Sequence, residues 1–483
     1  MNYDVMIIGG GAIGSAIARE LAGYHVKVGV LEKESDVCLG NSGRNTGLLH
    51  AGFLYAAGSL RARFCVEGNR SYDAFAEQLD VPLKRTGKLT VGSTQAERVR
   101  LEKLIENGKI NGVPGMRIIE REELHALEPH VAGEFAMLSP TSAIISPYQY
   151  TIALAENAAT NGVTYHLGQP LRKAERLRGG GFRLMTDEAV YEAKWVINSG
   201  GYNVDAVAEI LGTQGYRMEN TKGEYLILDT RAGEYLHMPV YPAPDENWVY
   251  DVHVTPTIDG NVLVGPTILG GIIDNEDFDT TAAARKLLLN NGANLFKPLR
   301  PNMVIRSFAA LSPHLGAPKD LPDDFIVDWH EDENLIHLVR MDSPGITASC
   351  AIGRYVAGII IEREHFSKNT AFDPVRKGIR RFAEQKREAQ EAMIQENPDY
   401  GEIICRCECI TKAEIMQALQ NPLGVKTVTG VKYRTRASMG RCQGGYCETR
   451  MTSLIRQVTG VTEVGVRYSG KDSNMFTGKV RDL

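Results

Sequence analysis

The segment that decides the fold lies near the start of the chain, where residues 5–14 read VMIIGGGAIG. The four apolar residues predict a buried strand. Residues 15–22 are rich in alanine, isoleucine and leucine and predict a helix. Residues 26–31 predict a second strand, which ends at Glu32. Because a helix connects the two strands, we expect a βαβ unit with parallel strands.

The glycines of this segment have the spacing Gly9-x-Gly11-x-x-Gly14, which is typical of dinucleotide-binding turns. Gly9 permits a tight turn, Gly11 lets the backbone approach a pyrophosphate, and Gly14 lets helix and strand pack closely. The amino end of the helix offers free N–H groups to phosphates. Glu32 can accept hydrogen bonds from ribose hydroxyls. The segment therefore predicts a dinucleotide site, but by itself it does not separate FAD from NAD.

The composition is that of a folded protein with several domains. The chain has 483 residues, of which 43% are hydrophobic and 23% charged, so we expect roughly three domains and an ordered body. The net charge of −5 argues against nucleic acid as a partner. No apolar stretch approaches about 18 residues, so no membrane span is expected. Residues 1–4 lack the basic region of a signal peptide, and a cytoplasmic location is the expectation.

Five of the eight cysteines lie near the C-terminus. Two cysteines separated by one residue in an extended segment point to the same side, and Gly444 and Gly445 let the second pair wrap around a metal centre. Structural zinc prefers two to four residues between paired cysteines, so the pattern favours a [2Fe–2S] cluster. Zinc or an empty site is the alternative. The predicted ligands are Cys405, Cys407, Cys442 and Cys447.

The segment after Glu32 carries a resemblance to a known family. Residues 39–53 read LGNSGRNTGLLHAGF, and their small residues and side-chain donors suit a long cofactor. The glycine motif, residues 41–43 and residues 50–52 resemble the D-amino-acid-oxidase-like superfamily of FAD oxidoreductases. Within it, the chain is most similar to glycerol-3-phosphate dehydrogenases and oxidases and to L-2-hydroxyglutarate oxidases. Matching segments continue in the same order to about residue 365.

The resemblance implies FAD as the cofactor. Gly9, Gly11, Gly14 and Glu32 would hold its ADP half, and the helix after residues 345–347 would direct its amino end at the flavin, where its dipole stabilises negative charge. The predicted FAD contacts are Gly9, Gly11, Ala12, Ile13, Gly14, Glu32, Lys33, Ser42, Asn45, Thr46, Leu171, Ser199, Gly200, Gly345, Ile346 and Thr347.

Oxidation of an alcohol needs a base and an anchor for the substrate. His50 resembles the proposed base of glycerol-3-phosphate oxidases, and a structural histidine is the alternative. Arg306 and Lys222 are the candidate anchors for an anionic substrate. Related dehydrogenases usually carry an arginine as a phosphate ligand at a position where this chain has Ser312. Ser343 is a candidate contact to substrate or flavin.

Residues 401–456 resemble the bacterioferritin-associated-ferredoxin-like domain, which is small, helical and binds [2Fe–2S]. Cys409 is additional to its pattern and is either a bystander or an alternative ligand. Arg434, Arg436 and Arg441 either balance the charge of the cluster or lie on the surface. The fusion resembles the large subunit of anaerobic glycerol-3-phosphate dehydrogenase and subunits of opine oxidase and hydrogen cyanide synthase. It implies partner subunits for electron transfer, through which any membrane contact would be made, or a homo-oligomer.

The predicted fold is an α/β, Rossmann-like FAD-binding domain with an inserted antiparallel-sheet substrate domain and a small helical [2Fe–2S] domain at the C-terminus. The predicted boundaries are 1–80, 145–215 and 325–368 for the FAD domain, 81–144 and 216–324 for the substrate domain, 369–400 for a charged helical linker, 401–456 for the cluster domain and 457–483 for a tail.

The expected activity is a dehydrogenase that uses FAD and [2Fe–2S] to oxidise a small anionic alcohol, first of all sn-glycerol 3-phosphate to dihydroxyacetone phosphate. A 2-hydroxy acid such as L-2-hydroxyglutarate and an amino or imino acid are alternative substrates. An electron-relay subunit without its own substrate chemistry is the alternative from another class.

Overall fold

The computed structural model describes residues 2–267, 273, 277–317 and 323–478. The strands are β1 (Asn2–Ile8), β2 (Val28–Leu31), β3 (Leu48–Leu49), β4 (Leu83–Lys84), β5 (Lys88–Gly92), β6 (Arg117–Glu120), β7 (Phe135–Ser139), β8 (Ala143–Ile145), β9 (Thr164–His166), β10 (Lys173–Arg176), β11 (Phe182–Met185), β12 (Val190–Asn198), β13 (Arg217–Leu228), β14 (Val240–Pro242), β15 (His253–Pro256), β16 (Val262–Gly265), β17 (Val304–Ala317), β18 (Ile326–His330), β19 (Leu335–Val339), β20 (Ile403–Cys405) and β21 (Ile410–Thr411).

The α-helices are α1 (Ala12–Ala22), α2 (Leu60–Leu79), α3 (Gln95–Ile110), α4 (Arg121–Leu127), α5 (Pro147–Thr160), α6 (Val204–Ile210), α7 (Ala282–Leu295), α8 (Gly345–Glu364), α9 (Arg387–Glu396), α10 (Lys412–Leu419), α11 (Val428–Thr435) and α12 (Glu448–Thr459).

The first large sheet carries the predicted βαβ unit. Its strand order is β10-β11-β12-β1-β2-β9, and β19 adds to β12 with β18 beside it. The pair of β1 with β2 is parallel, as predicted, and so are the pairs of β1 with β12, of β2 with β9 and of β12 with β19. Apolar residues of β1, β2, α1 and α8 share one buried core. This core fixes the carboxyl end of β1 against the first turn of α1.

The second large sheet has the order β17-β13-β16-β15-β14-β5-β7-β6. Its pairs are antiparallel except for β14 with β5. Residues such as Leu226, Val254 and Val264 pack against Leu288 of α7 on one face. Because side chains alternate along a strand, Lys88 and His253 point to the opposite face. That face contacts the loop after β3.

Helix α8 is the one described helix that is long and apolar enough to cross a membrane by length and composition. In the structure it packs against α1 and α2, and 61% of its apolar window is buried. Its apolar character is accounted for by this position in the core, and its first turn is thereby fixed beside α1.

The charged segment between the large domains and the C-terminal domain is less helical than predicted. Only α9 is an α-helix, and residues 365–386 form none. Pro374 cannot donate a helical hydrogen bond. Arg376 instead pairs with Glu156 at 2.7 Å, and the Gly378 N–H donates to Asp80 at 2.9 Å. Contacts to the first domain therefore replace the i−4 hydrogen bonds of the expected helix.

The C-terminal domain is small and helical, as predicted. The hairpin of β20 and β21 and helices α10, α11 and α12 enclose a separate apolar core. The extended segment ends at Cys405, and Cys407 lies in the turn that follows. The last five residues of the predicted tail lie outside the described residues.

Candidate active site

The carboxyl end of β1 opens into a cleft of about 790 Å³ at the amino end of α1. Gly9 and Ser199 both line this cleft, although 190 residues of sequence separate them. The predicted FAD contacts that line the cleft are Gly9, Gly11, Ala12, Ile13, Gly14, Glu32, Lys33, Ser42, Ser199 and Gly200.

Two glycines of the motif leave no room for a side chain. Gly9 has φ +109°, and a Cβ there would lie 2.5 Å from the Ser199 carbonyl oxygen. A Cβ on Gly14 would lie 2.1 Å from the Gly9 carbonyl oxygen. Helix α1 begins after Gly11 without a side-chain cap from that residue. Its amino end lies at the cleft, which fits the pyrophosphate of a dinucleotide.

Glu32 is fixed at the end of β2. Its carboxylate accepts hydrogen bonds from the N–H groups of Gly10 at 2.6 Å and Glu34 at 2.9 Å. Burial raises the pKa of Glu32 to about 7. The Ser42 hydroxyl accepts from the Ala12 N–H at 3.0 Å, which ties the loop after β2 to the first turn of α1.

The remaining predicted FAD contacts lie in three places. Leu171 packs in an apolar core with Leu31 and is not among the residues that line the cleft. Gly345, Ile346 and Thr347 form the first turn of α8, and a Cβ on Gly345 would lie 3.9 Å from Ile13. Asn45 bonds to the backbone of its own loop, and it lines a second cavity together with Thr46.

His50 lies beside the first turn of α8. Its backbone N–H donates to the Thr347 hydroxyl at 3.0 Å, and its Nε2 is 3.3 Å from the Ser343 hydroxyl. Burial, and then the charge of Lys88, lower the pKa of His50 to about 3. The imidazole is therefore neutral near pH 7, with a free lone pair, and in this environment it is a weak base. The structure thus brings together three residues that the sequence identified separately.

A group that the sequence analysis did not identify lies beside His50. Lys88 on β5 is 3% exposed, and its Nζ lies 3.4 Å from the centre of the Tyr241 ring. His253 stacks on the same ring at 3.8 Å. The only sequence signal was a lysine inside the buried strand KLTVG. A lysine at such a position needs a compensating interaction, because burial disfavours its charge.

The two predicted anchors make other contacts. Arg306 is exposed on β17, and its Nη1 donates to Gln443 at 3.1 Å. It lines the second cavity, of about 1000 Å³, between the two large sheets and the C-terminal domain. Lys222 is paired with Asp277 at 2.6 Å. Within the described part of the chain, neither side chain contacts His50, and Ser312 pairs with Thr221 along β17 and β13.

The four predicted cluster ligands lie together as two neighbouring pairs. Cys405 and Cys447 are hydrogen-bond neighbours, a contact that lowers the pKa of Cys405, and Cys407 neighbours Cys442. Across residues 2–267, 273, 277–317 and 323–478, no three His, Cys, Asp or Glu side chains converge on a single ion. Two thiolate pairs instead fit the two irons of a [2Fe–2S] cluster. Cys409 points elsewhere, since its thiol donates to the Arg406 carbonyl.

Arg434 and Arg436 are buried where the C-terminal domain contacts the rest of the chain. From the sequence, these arginines were expected either to balance the charge of the cluster or to lie on the surface. Arg434 is paired with Asp36 at 2.6 Å and with Glu156 at 2.8 Å. All three side chains are at most 7% exposed. Because these side chains are buried, their charges must compensate each other. The ion pairs therefore hold the C-terminal domain on the nucleotide-binding domain.

The second arginine extends this contact to the substrate sheet and to the cysteine loop. Arg436 pairs with Asp259 at 2.7 Å and with Glu408 at 2.8 Å. Arg441, which is exposed, pairs with Asp229. Because Glu408 lies between Cys407 and Cys409, the same network positions the loop that carries the predicted ligands.

Comparisons with known proteins agree with this geometry. The family model "FAD dependent oxidoreductase" matches residues 4–359, and the model "BFD-like [2Fe-2S] binding domain" matches residues 403–457. A glycerol 3-phosphate dehydrogenase of Caloramator mitchellensis is 33% identical over 99% of both chains. The mitochondrial L-2-hydroxyglutarate dehydrogenase of Nematostella vectensis is 29% identical over 75% of this chain and 91% of its own.

Among solved structures, the L-alpha-glycerophosphate oxidase of Mycoplasma pneumoniae with FAD bound superposes with a TM-score of 0.72 at 27% identity. The match covers 78% of this chain and 98% of the oxidase. With its dinucleotide cleft, its neutral His50 and its four grouped cysteines, the chain belongs to the FAD-dependent oxidoreductases, and it carries a BFD-like [2Fe-2S] binding domain at its C-terminal end.

Proposed function

We propose that this protein is a dehydrogenase that oxidises a small anionic alcohol, with sn-glycerol 3-phosphate as the first substrate to test and dihydroxyacetone phosphate as the product. The observation that carries the proposal is the neutral, half-buried imidazole of His50 at the first turn of α8. The choice of substrate is supported by the Caloramator mitchellensis glycerol 3-phosphate dehydrogenase. It matches this chain over 99% of its length, and the match therefore includes the cluster domain.

Bound FAD would supply the hydride acceptor, and a bound [2Fe–2S] cluster would supply a one-electron carrier. The protein's part begins with His50, whose Nε2 takes the proton of the substrate hydroxyl. Nε2 lies 3.3 Å from the Ser343 hydroxyl in this structure, and the substrate hydroxyl would take the place of Ser343 at this nitrogen. Thr347 fixes the backbone of His50, so the imidazole keeps its place relative to α8.

The cluster domain supports onward electron transfer to a partner or another acceptor. Its buried arginines hold it in one position on the nucleotide-binding domain. Of the predicted ligands, Cys405 and Cys447 are buried, whereas Cys407 and Cys442 are exposed. The exposed pair gives an acceptor access to one side of the cluster. We propose electron-transfer subunits or another copy of the chain as the partner, in the cytoplasm.

A 2-hydroxy acid of the L-2-hydroxyglutarate type is the second candidate substrate. Ser312 favours it, because the phosphate-binding arginine of related dehydrogenases is absent at this position. The similarity to L-2-hydroxyglutarate dehydrogenases over 75% of the chain also supports it. If no hydroxyl compound reduces the flavin, two alternatives remain. The substrate is an amino or imino acid, or the protein is an electron-relay subunit without substrate chemistry of its own.

The test is a single-turnover titration of the anaerobic, FAD-loaded protein with sn-glycerol 3-phosphate and with L-2-hydroxyglutarate. The proposal predicts that one of them bleaches the flavin band and yields the corresponding carbonyl product. Amino acids are titrated as a third class. Reduction by dithionite but by none of these compounds would contradict the proposal and favour the relay.

A further inference from the structure

Lys88 is a buried ammonium group without a counter-ion. Its side chain is 3% exposed, and its contacts are to the rings of Tyr241, Tyr250 and Phe53. Throughout the part of the chain that the structure describes, no carboxylate lies within 4.0 Å of its Nζ and no hydrogen-bond acceptor serves it. The face of Tyr241 attracts a cation but carries no compensating charge. Burial therefore lowers the pKa of Lys88 to about 7.

Three buried hydroxyls around Lys88 and His50 also make no hydrogen bond of normal geometry among the described residues: Tyr55 Oη, Thr90 Oγ1 and Tyr250 Oη. Of these, Tyr55 Oη lies near the Ser343 hydroxyl. Thr90 follows Lys88 by two residues on β5 and therefore lies on the same face of the sheet. Tyr250 lies 5.5 Å from Lys88 Nζ, measured to its ring centre. Tyr55 packs edge-on against His50 at 6.4 Å. Buried polar groups are rarely left unpaired, so their grouping indicates an absent partner.

These groups are all suited to donating to an anion. Burial raises the pKa of both Tyr55 and Tyr250, so both phenols stay protonated. An ammonium group donates three hydrogen bonds and accepts none, and hydrogen bonds from charged donors to carboxylate or phosphate are strong. The missing partner is thus an acceptor with negative charge.

We infer that Lys88, with the hydroxyls of Tyr55, Thr90 and Tyr250, forms an anion subsite that holds the carboxylate or phosphate of the substrate while its hydroxyl faces His50. The inference rests on the proposed function for the role of His50. It transfers the anchoring role from Arg306 and Lys222, whose side chains already bond to Gln443 and Asp277.

The anion subsite also affects the base. After burial, the charge of Lys88 is the second cause of the lowered pKa of His50, and it also lowers the pKa of His253. The titratable groups that face Lys88 are His50, His253, Tyr241 and Tyr250. A bound anion would offset the positive charge and so raise the pKa of Lys88 and of His50. His50 would thereby become a stronger base only when an anionic substrate is in place.

The experiment measures the binding of two anions that cannot be oxidised, inorganic phosphate and glutarate, to the full chain loaded with FAD and cluster. Calorimetric titration is carried out on the wild type, Lys88→Met, Lys88→Arg and Lys84→Met, which alters an exposed lysine four residues away. We expect Lys88→Met to weaken binding roughly 30- to 4,000-fold, the loss typical of a buried charge pair. Lys88→Arg should retain most of the affinity, and Lys84→Met should match the wild type.

The two anions distinguish a phosphate from a carboxylate ligand, and titration in buffers of different ionisation enthalpy measures proton uptake. Near pH 7.5 the wild type should take up a fraction of a proton on binding glutarate, whose carboxylates stay ionised at this pH, and Lys88→Met should take up none. Equal affinity in the wild type and Lys88→Met, with the FAD content of both unchanged, would overturn the inference. So would failure of the wild type to bind either anion at millimolar concentration.

The same variants separate this inference from the proposed function. If anion binding depends on Lys88 but no substrate bleaches the flavin, the anion subsite is supported and the proposed dehydrogenase activity is rejected. If a substrate reduces the flavin of the wild type and of Lys88→Met with the same KM, the dehydrogenase activity is supported and the anion subsite is rejected. If Lys88→Met loses its FAD, anion binding by Lys88→Arg is the test instead. Binding of the anions by this variant supports the subsite, and loss of binding in the FAD-loaded variant rejects it.

Discussion

Replacing Arg434 by methionine should release the cluster domain from the nucleotide-binding domain. The guanidinium makes two hydrogen bonds to Asp36, at 2.6 and 3.2 Å, and one to Glu156 at 2.8 Å. Glu156 would keep Arg376 as a partner. Asp36, which is 1% exposed, would keep only the N–H of Val37. The variant thus leaves one carboxylate buried without a cation.

The cost of such an uncompensated buried charge is about 3–5 kcal/mol. At 1.36 kcal/mol for each factor of ten, this corresponds to a roughly 150- to 5,000-fold larger opening constant for the contact. Amide hydrogen exchange of α11 measures that constant, because its amides exchange when the domain opens. We therefore expect exchange in residues 428–435 to accelerate by this factor, while the amides of β1 change much less.

Two further variants test the reason for the loss. Asp36→Asn combined with Arg434→Met removes both charges, so its exchange should be slower than in Arg434→Met alone. Arg441→Met removes another pair across the same contact, but the Arg441 side chain is 60% exposed, and solvent screening should leave exchange nearly unchanged. Exchange in Arg434→Met within threefold of the wild type would show that this ion pair does not hold the domain in place. So would a double variant that is less stable than the single one.

Three other predictions concern the site. His50→Asn should slow flavin reduction by substrate roughly 100- to 10,000-fold in stopped flow, the usual contribution of a general base. Its reduction by dithionite should be unchanged, and an equal loss in both would contradict the assignment. Because the pKa of Lys88 is lowered to about 7, its charge is present below this pH and lost above it. The value of kcat/KM for an anionic substrate should therefore fall as the pH rises through 7, and a profile that is the same in Lys88→Met would exclude this cause. Cys405→Ser should lose the cluster absorbance and its iron, whereas Cys409→Ser should retain both; iron analysis of the purified variants decides between these outcomes.

The nucleotide-binding half of the molecule could be predicted because its signals are local. The glycine motif, the strand before it and the helix after it all fall within residues 2–31, and their spacing reflects steric limits at Gly9 and Gly14. Each cysteine motif was likewise visible within one short segment. The contacts of Cys405 with Cys447 and of Cys407 with Cys442, however, join the two segments and depend on how the C-terminal domain packs.

The anion subsite could not be predicted, because its members come from separate elements. Thr90 meets Tyr241 only because β14 pairs in parallel with β5. Arg434 and Asp36 are 398 residues apart, and neither residue shows by itself that it is buried. The charged segment before α9 was predicted as a helix from composition alone. Its backbone contacts with Asp80 and Gln78 depend on the surface on which it lies.

We propose that electrons pass from a substrate alcohol to a cluster held in the same chain. Electron paramagnetic resonance of the anaerobic protein, frozen after addition of sn-glycerol 3-phosphate or L-2-hydroxyglutarate, detects this transfer. We expect the signal of a reduced [2Fe–2S] cluster together with loss of the flavin band, with neither change in His50→Asn. A flavin that is reduced while the cluster stays oxidised, although dithionite reduces the cluster, would show that electrons do not follow this path.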